Sequence, residues 1–166
     1  YEKELFIDTE EYPVLLMDWV DGMTLDKYIR QVIDNKKELR QLATNFKELA
    51  IWLLEQPFAH GDLKPDNILV RDNGSLVLID YDGMFVPAMK GQKARELGSP
   101  DFRHPLRTDN DFDEHIDDFS IVSILLSLKA IAINPQLLDE YGAADRLLLS
   151  EKDALNIGQC RLLKDL

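Results

Sequence analysis

The apolar positions of the chain fall into runs whose period changes along its length. Two short apolar runs, 4–7 and 13–20, flank the polar stretch Asp8-Thr9-Glu10-Glu11, which predicts two antiparallel strands joined by a turn. Beyond Asp21-Gly22, Thr24 stands where a cap would start a helix, and Leu25, Tyr28, Ile29, Val32 and Ile33 repeat at the spacing of one buried helical face. A longer stripe, Leu39, Leu42, Ala43, Phe46, Leu49, Ala50, Leu53 and Leu54, predicts a second, largely buried helix that Pro57 stops. Residues 67–70 and 76–79 read as short strands. Between them Arg71-Asp72-Asn73-Gly74 carries an Asn-Gly pair, which supplies the positive φ angles of a tight hairpin. Residues 81–108 contain Pro and Gly but no clear period, and an ordered loop of that length usually carries function. The stretch 117–133 (Phe119, Ile121, Val122, Ile124, Leu125, Leu126, Leu128) is hydrophobic all round, as expected for the central helix of a helical lobe. Short helices are expected to finish the chain, with Ser150-Glu151-Lys152-Asp153 as a capping start.

Length places these elements in one compact unit, since 166 residues is the size of a single domain. With 45% hydrophobic and 30% charged residues the chain can bury a core and solvate a surface, which excludes disordered and collagen-like classes. A net charge of -12 repels nucleic acid and anionic membranes, so neither is an expected partner. It does not exclude an anionic ligand bridged to carboxylates by metal ions. Cys160 is the single cysteine and cannot form an internal disulfide, and no Cys/His cluster has zinc-ligand spacing, so a reducing compartment, the cytoplasm, is expected. No apolar run approaches a membrane span, and the start at Tyr1 reads as a cut within a domain rather than a signal peptide.

The candidate chemistry lies in His60-Gly61-Asp62-Leu63-Lys64-Pro65-Asp66-Asn67, followed after the hairpin by Asp80-Tyr81-Asp82-Gly83. This pair of motifs resembles the catalytic loop (H-R-D-L-x-x-x-N) and metal motif (D-F-G) of the protein kinase superfamily, with the same spacing from Asp62 to Asn67. The physical demand is positioning and charge neutralisation around a loose phosphoryl transition state, which carboxylate and amide oxygens meet by holding Mg²⁺ on the phosphates of ATP. The resemblance implies that Asp62 orients the acceptor hydroxyl and takes its proton, that Lys64 steadies the transferred group, and that Asn67 and Asp80 hold the metal. His60 is read as a structural support for the loop.

Further segments follow in the family's order. Residues 15–25 resemble the last strand of the N-terminal lobe and the hinge, which implies Met17 as gatekeeper and an adenine site along Met17, Asp18, Trp19 and Val20, floored by Leu69 and Ile79. Gly98-Ser99-Pro100-Asp101-Phe102-Arg103-His104-Pro105 resembles the end of an activation segment, with Ser99 placed to contact Asp62 and Lys64. Asp117 resembles the helix-start aspartate that bonds to the catalytic-loop backbone, although a dipole-favoured carboxylate at a helix start explains it equally. The implied fold is α+β: a mainly helical kinase-like C-terminal lobe with a catalytic-loop hairpin (21–166; loop 60–67, metal motif 80–83, activation segment 80–105), and a residual N-lobe hairpin with hinge (1–20).

The departures matter as much. Gly61 replaces the arginine that reads an activating phosphate in many kinases, and residues 84–97 contain no Ser, Thr or Tyr, so no switching by phosphorylation of that stretch is expected. Asp82 stands where the metal motif has Gly, which leaves a metal-adjacent role or a simple loop cap open, and Leu106 stands where the segment usually ends in Glu. The Gly-rich loop, strand lysine and partner glutamate are expected upstream of Tyr1, in an N-lobe of the same polypeptide, so this chain alone is expected to be a poor catalyst. The leading expectation is transfer from ATP to Ser/Thr hydroxyls of a protein. Two alternatives stay open: a pseudokinase scaffold, and a small-molecule phosphotransferase like the aminoglycoside or choline kinases.

Overall fold

The structure, a computed structural model, describes residues 2–7, 9–15, 17–144 and 146–165. Strands β1 (Glu2–Ile7) and β2 (Glu10–Leu15) pair antiparallel from Glu2↔Leu15 to Ile7↔Glu10. This moves the predicted second strand: Glu10 and Glu11 pair with Ile7 and Phe6 instead of forming the turn, and residues 17–22 leave the sheet as irregular chain. Leu16 lies outside the described residues. A two-residue strand that periodicity is too short to reveal, β3 (Met23–Thr24), then pairs with Val70 and Leu69 of β4 (Ile68–Val70), which in turn pairs with β5 (Leu76–Leu78).

The loop between β4 and β5 is wider than an Asn-Gly two-residue turn. Gly74 alone has positive φ (79°), its N–H bonds to Arg71 O, and the Arg71 N–H bonds to Ser75 O. That is a tight turn followed by a left-handed glycine, and Asn73 serves it with its side chain, accepting from Ser75 N–H at 2.9 Å.

Helix α1 (Leu25–Gln31) buries Leu25 and Ile29 as its stripe predicts. Thr24 precedes it without capping it: its hydroxyl is buried with no hydrogen-bond partner among the described residues. Helix α2 (Lys36–Leu54) is capped by Asn35, whose side chain accepts from Glu38 N–H and donates to the Glu38 carboxylate. Its buried face, Leu39, Leu42, Phe46, Ala50 and Leu53, packs on helix α3 (Asp118–Ile133) through Ile121, Ile124, Leu128 and Ile131. Ile68, Val70 and Leu78 of the hairpin close the same core, so the loop between α2 and β4 is anchored at both ends.

Helix α3 packs on α2 and on α4 (Gln136–Tyr141), and although apolar all round it leaves Val122 64% and Ile133 73% exposed. Among the described residues no helix is long and apolar enough to cross a membrane. Helices α5 (Glu151–Leu155) and α6 (Arg161–Asp165) finish the chain; Ser150 and Asp153 form the expected reciprocal cap, and the Glu151 N–H donates to Asp101 at 2.7 Å. Residues 81–108 are ordered but without a long element, and they carry their own small core of Phe85 against Ala59 and Ile116.

Candidate active site

The loop that begins at His60 is fixed from below by α3. Asp117 sits at the start of that helix but does not cap it; its carboxylate instead accepts the backbone N–H groups of His60 and, at 3.0 Å, Gly61. Burial pushes the Asp117 carboxyl up, against those two bonds and the nearby Arg107 charge. The structure thus decides between the two readings of Asp117 in favour of a loop anchor. His60, 1% exposed, braces the loop from within. Its Nδ1 accepts from Asp62 N–H at 3.4 Å, which leaves the proton on Nε2 to donate to Ile79 O at 2.9 Å. His60 also packs against Tyr81, ring centroids 5.1 Å apart, so the histidine joins the loop to the Asp80 motif.

On this support Asp62, Lys64 and Asn67 converge. Lys64 Nζ lies 2.8 Å from Asp62 Oδ2, Asn67 Nδ2 donates to Asp62 O at 2.9 Å and to Oδ2 at 3.3 Å, and the Ser99 N–H donates to Oδ1 at 2.7 Å. Burial would raise the Asp62 pKa, but the bonds from Lys64 and Ser99 outweigh it and hold the carboxyl below its ordinary value. Lys64 is shifted up, first by its bond to Asp62 against burial, then by the charges of Asp62, Asp66 and Asp80. The pair is therefore ionic across neutral pH. Asp80 is exposed and within electrostatic reach of Lys64, and the Ile79 N–H bonds to Asn67 O at 3.0 Å, which sets the two motifs side by side. Asp80 has φ +65°, the sole positive value at a non-glycine among the described residues, a strained conformation that costs ~1–3 kcal/mol and is typical of functional sites.

Three backbones meet here at van der Waals range. Gly61 has φ +87°, and a Cβ on it would stand 1.9 Å from Gly83 O. Gly98 has φ +73°, and a Cβ there would stand 2.8 Å from Gly61 O and 3.1 Å from Asp62 Oδ1. Gly61 therefore has a steric reason that the sequence reading lacked: the Asp80 motif lies where any side chain would begin. Arg107, which that reading also passed over, donates from Nη1 to Gly61 O and Leu97 O, both at 3.1 Å. Its neighbour Leu106 is 72% exposed.

The expected adenine-contacting residues are less closely gathered. Met17, Asp18 and Trp19 lie on exposed irregular chain, Met17 at 72% and Trp19 at 88% exposure, and Val20 is partly covered. Leu69 is buried on β4 and Ile79 follows β5. The chain leaving residues 17–20 does reach this floor, since a Cβ on Gly22 would stand 3.1 Å from both Leu69 Cβ and Val70 O. A cleft of about 380 Å³ lies apart from Asp62, between His104, Leu106, Asp111, Asp113 and Phe119, with Arg107 as the wall between it and the Asp62 crevice.

The donor set near Asp62 suits a hard cation. Asn67 spends its amide nitrogen on Asp62, so its oxygen is the atom left to offer, and Asp80 adds a carboxylate; two oxygen donors of this kind are what Mg²⁺ takes from a protein when phosphates complete its shell. Among the described residues no three His, Cys, Asp or Glu side chains form a metal-binding group by themselves.

The chain is similar to known proteins over most of its length. The family model described as protein kinase domain matches residues 3–136. The serine/threonine-protein kinase WAG1 of Arabidopsis thaliana is 28% identical over 100 residues, 56% of this chain and 21% of that protein. Sperm motility kinase 2A of Mus musculus is 32% identical over 88 residues, covering 52% and 17%. The liver/testis isoform of the phosphorylase b kinase gamma catalytic chain of Bos taurus is 34% identical over 85 residues, covering 51% and 21%. The chain spans about a fifth of the length of these relatives.

Proposed function

The chain belongs to the protein kinase family, and from that membership we propose that it supplies the catalytic loop for phosphoryl transfer from ATP to serine or threonine hydroxyls of a protein. The observation that carries the reading is the Asp62 carboxylate, held ionised between Lys64 Nζ and the Ser99 N–H with one edge turned on Asn67. A loose transition state needs little push on the nucleophile, so a carboxylate of low pKa serves: it aligns the acceptor hydroxyl and takes the proton late. Lys64, cationic and already beside Asp62, neutralises charge on the transferred group while keeping hydroxyl and phosphate in register. Asn67 and Asp80 would hold Mg²⁺, which when bound neutralises the phosphate oxygens. Ser99 reports that the activation segment is seated, because its amide reaches Asp62 only when residues 97–99 lie against the loop.

The test uses the full-length polypeptide, Mg²⁺ and ATP, and peptides bearing serine or threonine acceptors, comparing wild type with Asp62→Ala and Asp80→Ala. Loss of a general base or a metal ligand predicts rates lower by roughly 100-fold or more. Equal rates in all three proteins remove both assignments. Nucleotide binding without transfer by the wild type replaces this reading with a pseudokinase, and transfer to small-molecule hydroxyls but not to peptides replaces the substrate class.

A further inference from the structure

The activation segment is seated in this structure, yet Gly61 offers no side chain to a phosphate and residues 84–97 offer no hydroxyl to carry one. Something else holds it. We propose that Arg107 is the positioning residue that does so, tying the activation segment to the catalytic loop by its guanidinium in place of a phosphate; the effect on transfer rests on the kinase reading above, while the tie itself does not.

The geometry is specific. A single nitrogen, Nη1, donates to Gly61 O in the catalytic loop and to Leu97 O in the activation segment, each at 3.1 Å. The first carbonyl precedes Asp62 and the second precedes Gly98-Ser99, so the bridge spans the two strands of chain whose closure brings the Ser99 N–H to Asp62 at 2.7 Å. Gly98 permits the approach, because any Cβ there would meet Gly61 O at 2.8 Å. The guanidinium is half-buried, and its Nε and Nη2 are enclosed with no hydrogen-bond partner among the described residues. Burial lowers its pKa, opposed first by the charge of Asp117 beneath the loop. Enclosing an arginine so incompletely paired is unfavourable by itself, which fits a side chain retained for what its one well-placed nitrogen joins. Arg103 adds a weaker contact to the same stretch, Nη1 to Gly98 O at 3.4 Å.

Arg107→Met keeps bulk and removes the donors, whereas Arg107→Lys keeps the charge beside Asp117 and N–H donors on a shorter side chain without the planar guanidinium. In the full-length polypeptide, amide hydrogen exchange at 97–99 is expected to speed up by about tenfold or more in the Met variant, with α2 and α3 unchanged and the Lys variant between the two. Phosphatase treatment of the wild type is expected to leave that protection intact. Under the kinase reading kcat falls by roughly 100-fold for Met and is partly restored by Lys, while KM for ATP moves by less than about twofold, since misplacement rather than nucleotide contact is lost. Unchanged exchange at 97–99 in Arg107→Met, protection lost across the whole lobe in both variants, or protection abolished by phosphatase each overturns the proposal. If the wild type transfers no phosphate, the functional reading falls, and the exchange data alone still decide the tie.

Discussion

Adding one methyl group at Gly61 probes the place where the 60–67 loop, the Asp80 motif and the chain around Gly98 touch. Two costs combine there, and the molecule contains a control for the first. The first is conformational: at φ +87° an L side chain is disfavoured by ~1–2 kcal/mol. Gly91 has nearly the same φ, +85°, with nothing within 4 Å of its would-be Cβ, so Gly91→Ala measures this cost by itself. The second is steric. The Gly61 Cβ would lie 1.9 Å from Gly83 O and 2.5 Å from Gly83 C, both backbone atoms that no rotamer can move aside. Non-bonded heavy atoms rest ~3.5–4.0 Å apart, so the two chains must separate by roughly 1.6–2.1 Å, and overpacking of that kind costs ~1–3 kcal/mol.

Gly61→Ala is therefore expected to destabilise by about 2–5 kcal/mol, against ~1–2 for Gly91→Ala. Gly158→Ala, with open space around its Cβ and no positive φ, should stay within about 0.5 kcal/mol of wild type. The separation also pulls Gly61 away from Asp117 and Arg107 and moves Asp62; under the proposed kinase function a displacement of ~1 Å there costs about 100-fold in rate. Urea unfolding of the three variants gives the stabilities, and initial rates of peptide phosphorylation give the second readout. If Gly61→Ala matches Gly91→Ala in stability and wild type in rate, the three-backbone contact does not set the site.

Asp117→Ala leaves the His60 and Gly61 N–H groups buried and unpaired, for a loss of about 2–5 kcal/mol by the same unfolding measurement; Asp117→Asn, whose oxygen still accepts one of them, should lose less. Burial opposes the shift of Asp153, but bonds from the Ser150 side chain and backbone and from Cys160 hold its carboxyl below the ordinary 3.8. The unfolded chain then binds more protons between the two values, so this contribution is whole above the ordinary value and is lost as pH falls through the depressed one. Asp153→Asn should accordingly cost ~0.5–1 kcal/mol at neutral pH and progressively less below about pH 4, read from thermal unfolding across pH. Mass spectrometry of active protein should find no stoichiometric phosphate between residues 84 and 97; one whose removal silences activity contradicts the account of the segment.

Side-chain chemistry at fixed spacing was legible before any coordinates. Asp62, Lys64 and Asn67 fall within six residues of loop between a long amphipathic helix, which is strongly periodic, and a hairpin marked by its Asn-Gly turn. What escaped is backbone chemistry. Arg107 binds carbonyls, which every residue has, so no partner residue type points to it; the nearby Leu106 drew notice only for a glutamate it is not. Gly61 reads as a lost arginine until the position of Gly83 shows that the loop has no room for a side chain. Helix α3 reads as apolar all round, and an apolar run does not say which of its faces has a neighbour; Val122 and Ile133 are left exposed. The hairpin turn was placed correctly but given two positive φ angles where Gly74 alone supplies one, since the Asn73 side chain can satisfy the turn without adopting one itself.

The peptide that precedes Asp62 is gripped from both ends by opposite charges: Gly61 N–H donates to Asp117 and Gly61 O accepts from Arg107. The two ionised groups also act on each other's titration, so the carboxylate and guanidinium are coupled both directly and through one polarised peptide unit. Removing either charge leaves the other, the buried Asp117 carboxylate or the half-buried Arg107 guanidinium, with less to balance it, and removing both relieves that strain. Asp117→Asn and Arg107→Met should therefore be less costly together than the sum of their separate effects, with a coupling of about 0.5–3 kcal/mol in a double-mutant cycle on unfolding free energy. The same cycle built with Arg103→Met in place of Arg107→Met should show less, because Arg103 reaches the segment at Gly98 and not the loop at Gly61. Strict additivity in the first cycle would mean that Asp117 and Arg107 hold the loop independently, and that the glycine between them transmits nothing.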